Sequence, residues 1–387
     1  MELRLLSFST GQPHPLAQQP VIFIDKKVLP LDFRSPQIEI VGDFLILLIT
    51  FSGRSRNQDM FLLVRWKSGL TYCVRVPGFF QIRPPSLILH VQLRTPKKDT
   101  YRHFSHLSQD TLVVPNLKQH TFEIAKIVID NDDTPHFVLL CVLHLFPLSD
   151  ASLSNFYCYA KPNPTGSGPL VVSSRSDRPF HDKAEDAIVI FYLYYAYFDQ
   201  HQIEMDWLTL IVHRHALLTH IPAAHRACAP FCSTTEPAPA LVEVPWSIWG
   251  PSATRLFMGI PTEMPWAETT SGQRAVLLQY RMPTPIIVQD FNPYAVRAAR
   301  ALASASGQSQ QGDWSTELPD GTTMSLRVEG RVFTAKHPIF KEDVWSSLPY
   351  VEFVTGDRYP YTGVMMDEER ILGFQVHFES LCRWPVC

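Results

Sequence analysis

Residues 213–232 gather six side chains that could bind a metal or move a proton: His213, His215, His220, His225, Cys228 and Cys232. Imidazole nitrogen and thiolate sulfur are the donors zinc prefers. On a strand, where side chains repeat on one face every second residue, His213 and His215 would stand side by side. The spacing, however, is neither C-x2-C nor H-x3-H. Pro230 interrupts the two cysteines, and Arg214 and Arg226 add like charge. The expectation is therefore no metal and no cofactor. His213 and His215 then serve a structural role or anchor a partner.

Three other groups invite a chemical reading. Trp246 and Trp249, set among Pro245, Gly250 and Pro251, are either an aromatic shelf for a partner or two indoles that plug the layer between neighbouring sheets. Asp290 and Asn292 would make a catalytic pair, but around Phe291 and before Pro293 they fit an Asx-type turn in which Asn292 caps a helix. Asp367, Glu368 and Glu369 fit the turn of a hairpin better than a metal loop. The run Arg94–Arg102 (RTPKKDTYR) fits a solvated loop. No G-x-x-x-x-G-K-[ST] phosphate loop, H-E-x-x-H helix or G-x-S-x-G elbow occurs, and there is no Asp-box repeat.

The elements that must position these residues read as strands. Phe44–Phe51 is apolar except for Thr50, and Met60–Val64 is apolar throughout. Neither run alternates, so this hairpin should be covered on both faces and lie inside a stack. The same pattern recurs in Leu70–Val76, Leu87–Leu93, Thr111–Asn116, Thr121–Ile129, Phe137–Phe146, Ala187–Phe198, Ile203–Leu218, Arg274–Tyr280 and the hairpin Val364–Val376. Helix is confined to Asn292–Ala301 and one turn at Glu342–Ser347. Repeated doubly buried hairpins without alternating helices give an all-β chain. A β-propeller-like stack of antiparallel sheets with degenerate blades is the expected form, with a large β-sandwich as the alternative.

Composition agrees. Of 387 residues, 45% are hydrophobic and 18% charged, which supplies a core and excludes a disordered tail. The 32 prolines outnumber the 17 glycines, as suits short strands ended by proline. A net charge of −3 gives no electrostatic reason for nucleic acid or an anionic membrane as partner. The seven cysteines are an odd number, scattered and mostly set in apolar sequence, as in a reduced protein of the cytoplasm or nucleus. The expected organisation is an extended segment over 1–36 and one recognition domain over 37–387, monomeric, with loops at 161–168, 226–240 and 302–313.

The succession GDFLILLI, FLLVRWKSG and DTLVVPN with FEIAKI resembles the region that follows the F-box in a large family of fungal F-box proteins. The segments LTLIVHRHALL, VPWSIWGPSATRLF, GQRAVLL, IIVQDFNPYAVR, VWSSLPYVEFV and MMDEERILGF are similar to that family's later blocks, in the same order. The resemblance spans roughly residues 37–376. It implies a non-enzymatic module that holds the substrate protein of a ubiquitin ligase. A hydrolase-like enzyme on a propeller, with loop-borne catalytic residues, is the alternative. The F-box is not legible before Gly42, where Pro13, Pro15, Pro20, Pro30 and Pro36 oppose its helices. No docking to the ligase's adaptor subunit is expected of this chain.

Overall fold

The structure is a computed structural model. It describes residues 2–7, 9–24, 37–50, 60–68, 70–74, 90–91, 103–129, 135–149, 151–164, 183–199, 202–226, 241–259, 269–278, 283–307 and 312–375. The Arg94–Arg102 loop, Cys228 and Cys232 lie outside them, as does most of the expected loop at 226–240. Strands dominate the described residues. Among these residues, helices are limited to Arg214–Leu218, Ala223–Arg226, Trp246–Ala253 and Pro293–Ala305, with a single 3-10 turn at Ala184–Asp186. No helix among the described residues is long and apolar enough to cross a membrane.

The chain divides into two compact units, each assembled from separate stretches. The first comprises Met1–Leu145, Asn163–Asp177 and Leu218–Pro245. The second comprises Phe146–Pro162, Arg178–Leu217 and Trp246–Cys387.

In the first unit, Gln37–Val41, Phe44–Ile49, Met60–Arg65 and Leu70–Val74 form an antiparallel meander, extended by the parallel pair His90–Val91. Its opening turn needs Gly42, whose φ of 56° suits a two-residue hairpin loop. A Cβ there would stand 2.7 Å from the Gln109 amide. Phe44–Ile49 is buried at every position, so the doubly apolar hairpin is covered on both faces. Ile46, Leu48, Phe61 and Leu63 pack with Phe104, Leu112 and Ile127. Leu45, Leu47, Leu62 and Val64 pack instead with Ile22, in the short strand pair Glu2–Arg4/Val21–Phe23, and with Ile24 just after it.

A second meander, Ser105–His106, Thr111–Asn116, Thr121–Ile129 and Pro135–His144, takes Val242–Val244 as a parallel edge. It buries an ion pair. Lys126 Nζ lies 3.3 Å from Asp110 Oδ2 and donates to the His225 carbonyl at 3.2 Å. Asp110 Oδ1 accepts from Ser108 Oγ at 2.8 Å and Thr111 Oγ1 at 3.0 Å. Both charges are thus hydrogen-bonded, as burial demands.

The second unit opens with the antiparallel meander Ser152–Tyr159, Ile188–Asp199, Gln202–His213 and Thr254–Met258. A six-stranded sheet follows, in spatial order Thr270–Ser271, Arg274–Leu278, Ile286–Asp290, Tyr350–Val354, Thr323–Arg327, Trp314–Glu317. Val296, Ala299 and Ala303, on one stripe of the helix Pro293–Ala305, cover one face of it through Trp314, Met324, Leu326 and Val351. Two further hairpins pair Arg331–Phe333 with Val344–Ser346 and Gly363–Met366 with Ile371–Phe374.

Four sequence expectations change. Glu342–Ser347 makes no helical turn; Val344–Ser346 is a strand, because Val344 and Ser346 bury alternately against a partner strand. Ile203–Leu218 is not one strand but ends at His213 and continues as the helix Arg214–Leu218. His213 and His215 therefore do not share a strand face. The tryptophan block, outside the expected helices, is a helix, Trp246–Ala253, and it accommodates Pro251 near its end. The helix after Asn292 runs on to Ala305, since alanines continue the buried stripe past Ala301.

Candidate functional site

The sequence candidates within the described residues each have a definite place. His213 is buried, with Nδ1 3.3 Å from the Asp186 carbonyl, which fixes the proton on that nitrogen. The exposed ring of His215 stacks beside it at 5.2 Å. Burial lowers the His213 pKa, and His215 nearby lowers it further against the upward pull of the Asp186 and Phe291 carbonyls. Arg214 between them is buried too, its guanidinium donating to the carbonyls of Pro162, Ala184 and Ala160. The His225 carbonyl holds Lys126. Among the described residues no group of three or more His, Cys, Asp or Glu side chains is placed to hold a metal ion.

Trp246 and Trp249 are buried and meet edge to face at 5.0 Å. Trp246 also meets Phe146 at 5.3 Å, and a Cβ on Gly250 would stand 2.3 Å from its ring. Neither indole forms an open shelf. Asp290 Oδ1 accepts from Asn292 N, and Asn292 Oδ1 accepts from Tyr294 N, both at 2.8 Å, so this pair caps the helix Pro293–Ala305. Asp367 Oδ1 accepts from the backbone N–H groups of Glu369 and Arg370 and closes a hairpin turn.

The surface that sequence reasoning missed lies within the second unit. Residues directly opposite in an antiparallel sheet share a face, so register defines rows. One row crosses the four-stranded meander as Tyr157, Tyr192, Thr209 and Phe257. The next carries Asn155, Tyr194 and Trp207, and the row on the other side carries Tyr159, Ile190, Ile211 and Arg255. Tyr157 and Trp207 stack at 6.2 Å with an interplanar angle of 17°, and Tyr194 meets Trp207 at 4.4 Å. Tyr157, Tyr194, Trp207 and Phe257 are only half-buried, so the row ends in an aromatic shelf.

The six-stranded sheet meets this face through Ala275, Phe291, Leu348 and Tyr350, which pack with Ile190, Tyr192 and Ile211. Tyr350 sits edge-on to Phe257 at 5.8 Å. The same parity that turns Tyr350 this way turns Glu352, Gln289, Ser325 and Arg327 with it. The row is polar where a covered sheet face is ordinarily apolar. Gln289 Nε2 donates to Glu352 Oε2 at 3.3 Å, and Ser315 Oγ pairs with Ser325 Oγ at 3.0 Å. The buried Gln289 Oε1 has no hydrogen-bond partner among the described residues.

Three guanidinium groups gather at Tyr350. Arg327 bridges two carboxylates, Asp313 Oδ2 at 3.4 Å and Glu352 Oε1 at 3.3 Å. Burial pulls its pKa down, but Glu352, Tyr350 and Asp313 more than offset that and leave it raised. Arg255, 1% exposed, lies 5.1 Å from the Tyr350 ring centroid and donates from Nη1 to the Glu329 carbonyl at 2.7 Å. Burial lowers its pKa. Arg331, exposed, places its guanidinium 5.8 Å from the Phe257 ring centroid. Burial, with Glu352 beside it, pushes the Tyr350 hydroxyl up to about 12, against the pull of Arg255, Arg331 and Arg327.

Asp313 Oδ1 accepts from Val328 N at 2.9 Å and Glu329 N at 3.0 Å. Both oxygens of Asp313 and both of Glu352 are therefore already engaged. The pair holds Arg327 in place from two sides. The signal for this surface was present in TMSLR and in YVEF, whose alternation puts Ser325, Arg327, Tyr350 and Glu352 on one face.

Comparison of the chain with protein-family models, curated proteins and solved structures returns no match.

Proposed function

We propose that this protein is a non-enzymatic recognition module, the substrate-binding part of an F-box-type ubiquitin-ligase receptor. Its protein partner rests on the shelf of Tyr157, Tyr194, Trp207 and Phe257. The observation that carries this reading is the division of labour beside Tyr350. Each of the two carboxylates holds Arg327 with one oxygen and accepts other hydrogen bonds on the second, while half-buried aromatic rings and an exposed Arg331 stand beside them. Aromatic rings and arginines supply most of the binding energy of protein interfaces. An enzyme of the hydrolase kind would need a carboxylate or imidazole free to exchange a proton with substrate. Three successive antiparallel meanders, at Gln37–Val74, Ser105–His144 and Ser152–Met258, support a propeller-like architecture of irregular blades. The resemblance to fungal F-box proteins supplies the ligase context.

The test is quantitative co-purification from cells that express the tagged full chain. Trp207→Ala should lower partner recovery at least about thirtyfold, the loss of one interface anchor worth ~2 kcal/mol or more. Tyr294→Ala, on the helix that covers the other face of the six-stranded sheet, should leave recovery unchanged. Equal recovery from parent and Trp207→Ala would remove the shelf from the interface.

A further inference from the structure

The charges around Tyr350 do not balance. Three guanidinium groups, Arg255, Arg327 and Arg331, face two carboxylates, and both carboxylates are committed to Arg327. Among the described residues neither Arg255 nor Arg331 has a carboxylate within ion-pair distance. Arg255 is the more demanding of the two. It is 1% exposed, and its Nε is buried with no hydrogen-bond partner among the described residues. A buried guanidinium held only by one carbonyl and a ring face is costly, and an incoming anion would relieve that cost. Arg331, an exposed residue, places its guanidinium over the Phe257 ring. A planar fork in that setting grips carboxylate or phosphate with paired hydrogen bonds.

We propose that Arg331, backed by Arg255 and flanked by Phe257 and Tyr350, is an oxyanion-binding site that receives an anionic side chain of the bound protein. The proposal deepens the recognition reading and rests on it. The shelf of Tyr157 and Trp207 takes apolar or aromatic residues of the partner, and the guanidinium pair takes an adjoining acidic residue. That oxyanion comes either from the carboxylate of an aspartate or glutamate or from a phosphorylated serine or threonine. Arg327 stays outside the grip, because Asp313 and Glu352 already neutralise it. No covalent step is involved.

The experiment is a thermal melt of the full chain in inorganic phosphate and, separately, in acetate, each against chloride at matched ionic strength. At phosphate about tenfold above its dissociation constant, a ligand that binds only the folded state raises the melting temperature by about 3–6 °C for a unit of this size. That rise should vanish in Arg331→Ala, whose exposed side chain can be removed without opening the core. It should persist in Arg300→Ala, an exposed arginine on the helix Pro293–Ala305. A rise with phosphate alone assigns the site to a phosphorylated residue, and an equal rise with acetate assigns it to a carboxylate. No rise with either anion overturns the proposal, and so does a rise that survives Arg331→Ala. These outcomes are separate from the recognition test. If Trp207→Ala abolishes partner recovery while neither anion shifts the melt, the shelf stands and the anion site falls.

Discussion

At the scale of single residues, burial decides roles that spacing left open. Trp249 is 2% exposed inside a helix, where its i, i+3 neighbour Trp246 meets it edge-on. Trp249→Ala should cost ~3–5 kcal/mol, as truncation of large core aromatics does. That is a large share of the ~5–15 kcal/mol that holds a domain together. A denaturant melt showing unchanged stability would return this indole to the list of ligand contacts. His213 carries a pH dependence. Burial lowers its pKa, so below about pH 6.5 the unfolded chain takes up a proton that the folded chain refuses. The stability it contributes at neutral pH is lost as pH falls through that window. Buried or partly buried His120 and His220 shift the same way. The melting temperature should therefore drop between pH 7.5 and 5.5, and His213→Gln should flatten the drop. Cys141 gives a third check. Burial raises its thiol to about 11, so little thiolate forms at neutral pH. Iodoacetamide should label Cys141 and the buried Cys158 only after unfolding. Rapid labelling of either in the native chain would contradict their placement.

At the scale of elements, apolar runs were legible and polar detail was not. Thr111–Asn116 and Thr121–Ile129 occupy the bounds that their sequence patterns imply, because strong β-formers there are bracketed by turn residues. The tryptophan helix was hidden. Pro245, Gly250 and Pro251 read as turn chemistry, yet packing against Phe146 overrides that local preference. Arg255 was hidden for another reason. TRLFM looks like a strand with an incidental arginine, and only the register with Ile211 shows the guanidinium turned inward. The buried Lys126–Asp110 pair was equally illegible, since its third partner, the His225 carbonyl, is 99 residues away. Lys126→Ala should destabilise the chain by ~3–5 kcal/mol, because it takes the buried ammonium away from Asp110. Pairing Lys126→Met with Asp110→Leu should recover most of that loss. Chemical denaturation of the single and double variants measures both.

At the scale of the whole molecule, two compact units each bury their own core. The first does so with two meanders, and the second with a meander, a six-stranded sheet and one long helix. Proline density and doubly apolar hairpins made the all-β class readable, while the discontinuous division of the chain left no mark in composition. Helix should account for less than about a fifth of residues by far-UV circular dichroism, below the ~30–35% of ordinary domains. The proposed recognition role rests on the resemblance to F-box proteins, and the proposed partner-binding face is the aromatic shelf beside Tyr350. The most direct test puts a photo-crosslinking phenylalanine at position 157 in the aromatic shelf, and the same probe at position 294 on the covering helix. Irradiation in cells should yield a discrete protein adduct from position 157 and none from position 294. Adducts from position 294 alone, or the same adducts from both, would contradict the assignment of the shelf as the partner-binding face.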